Sequence, residues 1–297
     1  MSKLSTLARA LGAGLAVSAL LASPAAAQVE LGVAAGASTY FGDLSPSRTL
    51  DAFSQSQASV GGYARIPVSE LFSARVFVQS SQIRGDDALR EYAERNLSFR
   101  SRIFELGLLA EVYPIGTDRV VAPYLSFGAS VYRFNPETNY NGRWVELQPL
   151  GTEGQGLPGF APRYSLTRFA MPVGLGVRYP LGDALVIGAD IATRMTFFDH
   201  LDDVSGNYVN YYTLLNGRGI QGSGGNGSLS AAVADRTGEY LGTDPRDLPS
   251  GRARGNAANN DWFQTATITL GYRIGSGLFS AGGTKKNSSR YNRCYQF

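Results

Sequence analysis

Residues 166–198 show the alternation of apolar and polar positions from which the fold can be predicted. Every second residue from Phe169 to Tyr179 is apolar, and after a short turn at 180–183 the alternation resumes from Leu185. The positions between include arginine, aspartate and glycine. Because successive side chains of a strand point to opposite faces, the segment predicts a hairpin with one apolar and one polar wall. Such a hairpin fits a soluble sandwich with the apolar wall inward, or a membrane barrel with that wall against lipid.

The same alternation recurs along the chain and predicts eight strands in all. They are Val29–Phe41, Ala58–Ile66, Leu71–Ile83, Phe99–Tyr113, Val120–Phe134, the two arms of the hairpin within 166–198, and Trp262–Ile274. Long connections alternate with short ones, and the long ones are Gly42–Gln57, Arg84–Ser98, Asn135–Ser165 and Asp199–Asp261. An even number of strands of about ten residues, with long loops at one end, is typical of outer-membrane proteins. We therefore predict an all-β, eight-stranded antiparallel up-and-down transmembrane β-barrel with long extracellular loops and short periplasmic turns.

The N-terminus predicts the compartment. Lys3 and Arg9 precede an apolar segment at 11–21, and three alanines follow at 25–27, which is the pattern of a secretory signal peptide. We expect a signal peptide at 1–27, the barrel at 28–275 and a periplasmic C-terminal tail at 276–297. The mature protein is then expected in the outer membrane of a Gram-negative cell, with both termini in the periplasm.

Composition adds two exclusions. After the N-terminal segment, the sequence contains no apolar run of about 20 residues, so no transmembrane helix is expected in the mature protein. The net charge of +3 is small and the basic residues are scattered, so a nucleic-acid partner is not expected.

The polar residues that alternate with the apolar ones along the strands predict what fills the barrel. Eight strands leave an interior that side chains just fill, and an unpaired charge there is costly. We therefore expect a mutually paired network that plugs the lumen; the alternative is a polar pore or proton path. The inward residues are Glu30, Arg65, Arg75, Glu105, Glu111, Arg168, Arg178, Asp190, Arg194 and Arg273.

The loops contain little that points to catalysis or to a ligand. The single histidine, His200, has Asp199, Asp202 and Asp203 beside it, but neither a nucleophile elbow nor an HExxH pattern accompanies it. The acidic cluster lacks the spaced loop of a calcium site, and 150–156 lacks the lysine of a phosphate loop. We expect no catalytic site, no cofactor, no metal and no small-molecule substrate. An enzyme that uses His200 stays as an alternative.

The C-terminal tail is basic and contains the only cysteine of the chain. A lone cysteine in an oxidising compartment is a free thiol or part of an intermolecular disulfide, or it is incidental in a disordered end. We expect the tail to bind a periplasmic partner. Its candidate partner-binding residues are Lys285, Lys286, Arg290, Arg293 and Cys294.

Seven features of the mature chain resemble the PorG-like outer-membrane barrels of the type IX secretion system. They are GASTYFGDLSP, RSRIFELGLLAEVYP, APYLSFGASVYRFNP, LQPLGTEGQG, TFFDHLDDVSGNY, RGNAANNDWF and the C-terminal Cys294. The resemblance implies an accessory barrel, not the translocon pore, that fixes a periplasmic ring of a lipoprotein and its partner to the outer membrane. It also implies that a cysteine of the barrel protein pairs with the lipoprotein, and Cys294 is the candidate.

The alternative function is that of a stand-alone barrel of the OmpA/OmpX type, acting in adhesion or surface protection through its outer loops. The expected partners are thus outer-membrane lipids in either case, and the ring lipoprotein and its partner in the first.

Overall fold

The computed structural model describes residues 29–46, 49–89, 92–117, 120–217, 226–244 and 250–274. Within them the chain forms nine strands. They are β1 Glu30–Phe41, β2 Gln57–Pro67, β3 Phe72–Asp86, β4 Ser98–Val112, β5 Ala122–Tyr140, β6 Arg143–Glu146, β7 Thr167–Leu181, β8 Leu185–Phe198 and β9 Asp261–Arg273. The expected signal peptide at 1–27 and tail at 276–297 lie outside the described residues.

Eight of these strands close into one antiparallel barrel. Strand pairing runs β4-β3-β2-β1-β9-β8-β7-β5, and a further pairing of β4 with β5 closes the ring. β6 pairs only with the far end of β5, beyond the barrel wall. The predicted fold class, an eight-stranded antiparallel barrel, is confirmed. Closure pairs the backbone of every strand on both sides, so no edge strand is left open.

The barrel is apolar outside and polar inside. On β4, Leu106 and Leu108 are 57% and 56% exposed, whereas Glu105 and Glu111 on the opposite face are buried. Large apolar side chains face outward in the same way on the other strands, for example at Val33, Val60, Val78, Leu125, Leu175 and Ile268. This is the reverse of a water-soluble protein and is the arrangement of an outer-membrane barrel, whose exterior lies against lipid.

Glycines on the inner face make room for large inward side chains. Gly32 pairs in register with Tyr63, and a Cβ at Gly32 would lie 2.3 Å from the Tyr63 ring. Gly176 likewise pairs in register with Tyr124, and a Cβ at Gly176 would lie 2.4 Å from the Tyr124 ring. A narrow barrel thus accommodates a tyrosine only where the neighbouring strand has no side chain.

The two ends of the barrel differ. One end has only short turns between β2 and β3, β4 and β5, and β7 and β8, and we call it the short-turn end. The chain also enters and leaves there, because the backbone N–H of Ile274 donates to the carbonyl of Val29 at 2.8 Å. The other end carries the four long connections, and we call it the long-loop end.

The long connections are more ordered than we predicted. The prediction of plain loops was wrong in three places: the β1–β2 connection contains a helix, β5 continues to Tyr140 and forms a hairpin with β6, and the described part of the β8–β9 connection contains three helices. The helices are α1 Thr49–Ala52, α2 Tyr211–Gly217, α3 Gly227–Ala234 and α4 Thr237–Leu241. The connection from β3 to β4 contains two short 3-10 turns, Asp87–Leu89 and Ala93–Arg95. None of the helices in the described ranges has the length and apolar character needed to cross a membrane.

These connections fold together into a cap over the barrel. Leu201 and Val204 from the last connection pack with Phe134 and Phe263 of the strands in one buried apolar cluster. The main apolar core of the molecule therefore lies at the long-loop end, where the cap meets the barrel. The cap excludes water there and places several charged side chains out of solvent.

Candidate functional site

The first candidate site is the lumen, and Arg65 lies at its centre. Its guanidinium donates from Nε to Glu111 Oε2 at 2.6 Å and from a terminal nitrogen to Glu111 Oε1 at 3.0 Å. The other terminal nitrogen of Arg65 binds Glu30, which also pairs with Arg178. Arg65, Glu111 and Glu30 are each 1% exposed or less. Two carboxylates thus hold two guanidiniums, as a buried charge requires.

A third arginine extends this network across the lumen. Arg75 lies 3.0 Å from Glu111 Oε1 and 3.0 Å from Asp190 Oδ2. The hydroxyl of Tyr124 also donates to Asp190, at 3.1 Å. Asp190 lies on β8 and is reached from β3 and β5, so the network ties together strands that do not pair directly.

A separate pair lies nearer the long-loop end. Arg194 Nε is 3.1 Å from Glu105 Oε2, and a terminal nitrogen of Arg194 donates to Gln79 Oε1 at 2.6 Å. Arg194 also donates to the hydroxyl of Thr265. Each guanidinium of the lumen network therefore has a carboxylate partner and further polar contacts.

The two remaining predicted lumen residues lie at the ends of the barrel. The guanidinium of Arg168 lies 4.0 Å from the centre of the Phe198 ring and forms no ion pair with a carboxylate in the described residues. Our expectation of an acidic partner for Arg168 was therefore wrong: at the long-loop end an aromatic face takes that place. Arg273 is half-buried at the short-turn end, beside Glu30 of the neighbouring strand.

Little space remains between these side chains. A cavity in the barrel, lined by Tyr63, Arg75, Asp190 and Arg194 among others, has a volume of about 30 Å³. That is room for one or two water molecules, not for a hydrated solute. Among the described residues, polar side chains thus fill most of this part of the lumen.

The second candidate site is a buried charge cluster inside the cap. Arg254, which is 2% exposed, donates to Glu153 Oε1 at 3.0 Å and to the carbonyl of Ala234 at 3.0 Å. Glu153 in turn accepts hydrogen bonds from the backbone of Ser205 and Gly206, at 2.9 and 3.0 Å. The connection that contains Glu153 is thereby tied to the connection from β8 to β9.

The pKa values of two acidic side chains in the cap are shifted in opposite directions. Burial raises the pKa of Glu153, but the nearby His200 and the charge of Arg254 outweigh burial and hold the pKa at about 2. Burial also raises the pKa of Asp203, and Arg254 offsets only part of that effect. Asp203 accepts hydrogen bonds from Tyr164 at 2.6 Å and from Thr152 at 2.5 Å.

A shared proton joins the cap to the barrel. The hydroxyl of Tyr40 lies 2.6 Å from Asp202 Oδ2 and 2.9 Å from Asp261 Oδ1. A hydroxyl has one proton to donate, so one carboxyl accepts it and the other must carry its own proton to bond the same oxygen. Burial raises the pKa of Asp202 to about 7, which the hydrogen bond from Tyr40 only partly offsets. The Asp202 carboxyl is therefore only partly ionised at neutral pH.

His200 belongs to this cluster through its contacts with Glu153 and two aromatic rings. Its Nε2 lies 3.7 Å from Glu153 Oε2, and its ring lies against the rings of Tyr164 and Phe198. Burial lowers the pKa of His200, but the carboxylate of Glu153 raises it above the ordinary value. In the described part of the chain His200 forms no hydrogen bond to a serine, threonine or cysteine, and no group of three acidic, histidine or cysteine side chains could hold a metal ion.

Sequence reasoning identified the lumen residues but missed the cap. Arg254, Glu153 and Tyr40 lie outside any regular alternation or at its end. The one usable signal is that each stands in a segment that resembles the PorG-like barrels. The predicted tail residues Lys285, Lys286, Arg290, Arg293 and Cys294 lie outside the described residues.

Comparisons with known proteins give one family and several solved structures to which this chain is similar. The sequence model of a family described as a domain of unknown function (DUF6089) matches residues 14–219. No curated protein matches the sequence.

Three solved structures illustrate the likeness. Neisserial surface protein A has 10% identity over 83% of this chain and 97% of its own, with a TM-score of 0.41. A major outer membrane protein from Thermus thermophilus has 14% identity over 83% and 99%, with a TM-score of 0.38. Outer membrane protein W of E. coli has 13% identity over 84% and 100%, with a TM-score of 0.35. The architecture given above rests on this chain's own strand pairing and exposed apolar side chains.

Proposed function

The chain belongs to the DUF6089 family, and from that premise we propose that it works as a membrane-fixed platform and not as a pore or an enzyme. The observation that carries this proposal is the filled lumen, in which four guanidiniums and four carboxylates pair across the barrel. Such a barrel holds position in lipid and presents its two ends to partners. No cofactor is needed for that role.

The partner side that we propose is the periplasm. We infer that the protein is an accessory component of the type IX secretion system, which anchors a periplasmic ring containing a lipoprotein to the outer membrane. The segments that resemble PorG-like barrels support this, from GASTYFGDLSP to RGNAANNDWF. The position of Ile274 also supports it, because the chain leaves the barrel at the short-turn end. With the long-loop end outside the cell, both termini and the tail from 276 onward are periplasmic.

The tail then provides two kinds of contact. Its basic residues attract an acidic surface, and Cys294 supplies a thiol for a disulfide with the ring lipoprotein. A first contact at the membrane raises the effective concentration for the second, so weak charge pairing and a covalent bond reinforce each other. The basic residues concerned are Lys285, Lys286, Arg290 and Arg293.

The test is partner capture with and without the tail. We expect full-length protein, solubilised in mild detergent, to retain a periplasmic lipoprotein and its partner, and a chain truncated after residue 275 to lose both. Cys294→Ser should remove a higher band from a non-reducing gel of whole cells. Arg143→Ala, which removes one exposed charge at the long-loop end, is the control and should change neither result. Retention of the same proteins by the truncated chain contradicts the anchoring role.

A second candidate function has support from the cap. A stand-alone barrel of the OmpA/OmpX type acts through its outer loops, and here those connections form a folded body with exposed aromatic side chains. Trp144, Tyr212 and Tyr240 are examples. If adhesion or surface protection is the role, the triple variant with alanine at these three positions reduces cell attachment, and truncation after residue 275 leaves attachment unchanged.

A further inference from the structure

A large cleft opens beside the cap at the long-loop end. It lies between the start of the β1–β2 connection, the β3–β4 connection and the last part of the β8–β9 connection, and its volume is about 700 Å³. That volume is in the range of sites for small organic ligands. It is unlike the lumen cavity, which holds only water. Six of its lining residues are Asp43, Tyr92, Asn256, Asn259, Asn260 and Trp262.

One wall of the cleft is aromatic. Trp262 stacks on Phe41 with ring centroids 4.0 Å apart and planes 8° from parallel. The stack joins the end of β1 to the start of β9, which pair in register at these two residues. Tyr92 adds a further ring that is 59% exposed. Flat aromatic faces with an open side are surfaces on which an apolar face of a ligand ring can lie.

The rest of the lining offers neutral and acidic hydrogen-bonding groups. The side chains of Asn259 and Asn260 are exposed, and each amide has two donors and an acceptor. Asp43 is held in place because its Oδ2 accepts a hydrogen bond from the backbone of Asn256 at 2.8 Å. Amides and a carboxylate beside aromatic rings match a ligand that carries many hydroxyl groups around an apolar ring face.

The two arginines of the lining are committed to the protein. Arg95 donates to Asp87 Oδ2 at 2.7 Å and to the carbonyl of Asp43 at 2.9 Å. Arg254 is buried and donates to Glu153 and Ala234. Neither guanidinium is directed at a ligand, so the part of the lining that the structure describes offers no free cation for a phosphate or a sulfate. The expected ligand is uncharged.

We propose that this cleft binds a neutral oligosaccharide. Trp262 and Tyr92 provide the stacking faces, and Asp43, Asn259 and Asn260 bind the hydroxyl groups. The cleft lies where the strands end, so the saccharide comes either from a glycolipid of the surrounding leaflet or from a soluble glycan. This site is independent of the tail, and it stands or falls separately from the anchoring role.

Binding is testable with the full-length protein in phospholipid nanodiscs. The probes are soluble maltotriose and chitotriose in one arm, and nanodiscs that contain an uncharged diglycosyl diacylglycerol in the other. Trp144→Phe leaves Trp262 as the only tryptophan, so a change in its fluorescence reports occupancy of the cleft. We expect a saturable change in at least one arm, and the responding arm identifies the source.

Matched variants separate binding from folding. Trp262→Ala should weaken binding by about tenfold or more in a glycan pull-down, because it removes a stacking face. A tenfold loss corresponds to about 1.4 kcal/mol of binding free energy. Trp262→Phe keeps a ring in the stack and should lose less, and Trp144→Ala, at an exposed tryptophan outside the cleft, should lose nothing. No saturable binding in either arm overturns the proposal, and so does equal binding by Trp262→Ala. In the latter case Trp262 only anchors the barrel at the membrane surface.

Discussion

Removal of one carboxylate from the lumen tests whether the buried charges hold the barrel together. Glu111 is fully buried and pairs with Arg65 at 2.6 Å and with Arg75 at 3.0 Å. Glu111→Gln keeps the shape of the side chain but removes its charge. Both guanidiniums then stay buried with one carboxylate each, Glu30 for Arg65 and Asp190 for Arg75.

The expected loss in the free energy of unfolding depends on how completely the ion pair is removed from water. Breaking one partner of a buried ion pair costs about 3–5 kcal/mol. Because each guanidinium keeps a second carboxylate, we expect a loss near the lower limit, about 3 kcal/mol. The matched control is Glu137→Gln, whose partner Arg100 lies 2.9 Å away with both side chains partly exposed. There we expect a loss below about 1 kcal/mol.

A double variant sharpens the test. Arg65→Met combined with Glu111→Met removes one charge of each sign and leaves Glu30 with Arg178 and Arg75 with Asp190. Replacing a buried pair by apolar side chains is often neutral. The double variant should therefore be more stable than Glu111→Gln alone.

The assay is urea unfolding in phospholipid vesicles, followed by tryptophan fluorescence. The reasoning is refuted if Glu111→Gln costs no more than Glu137→Gln. It is also refuted if the double variant is less stable than the single one, because the lumen charges would then contribute through something other than pairing.

Three more predictions concern the exterior and the cap. Leu106→Arg should destabilise the barrel in vesicles by about 2–4 kcal/mol, the range for an arginine facing the bilayer midplane, whereas a marginal effect would mean that this surface does not face lipid. Because the pKa of Asp202 is raised from 3.8 to about 7, folding favours its protonated form, so the cap should lose stability as pH rises between these values and change little above them. Hydrogen exchange at the Val204 amide, which donates to Asp202, measures this. Asp202→Asn should reduce the slope, and Glu153→Gln should leave it unchanged, since the pKa of Glu153 is about 2. Arg254→Met should expose the cap to proteolysis while the barrel core stays resistant, and equal resistance of the cap would contradict its role as the tie between connections.

The strands of this protein are readable from the sequence because their signal is local. Alternation with a period of two needs only a few neighbouring residues, and the alternating lengths of the connections add the up-and-down order. The alternation within each strand also indicates which residues face inward. It puts Glu30, Arg65 and Glu111 on the inner face before any strand pairing is known. Whether the apolar wall meets lipid or a dry core is a property of the whole chain, and the length of the connections was the evidence for it.

Pairing partners could not be predicted, because register and closure determine them. Arg75 and Asp190 are 115 residues apart, and Arg254 and Glu153 are 101 residues apart. A slip of one residue in any strand would give each guanidinium a different neighbour. The same reason explains Arg168, which shares the parity of the other arginines but reaches an aromatic ring at the end of the barrel.

The cap is the part of the fold that the sequence did not predict, and there is a physical reason for this. Its helices are short, its charges are isolated, and its glycine-rich stretches have no period, so sequence alone indicates only a long polar connection. Burial against the open end of the barrel is what orders these stretches, and it also raises the pKa of Asp202. The sequence by itself determined a barrel with an apolar exterior and a polar interior. The tertiary structure alone decided that the lumen is closed, that the connections form a cap, and that a cleft opens beside it, because each depends on side chains that only the folded chain brings together.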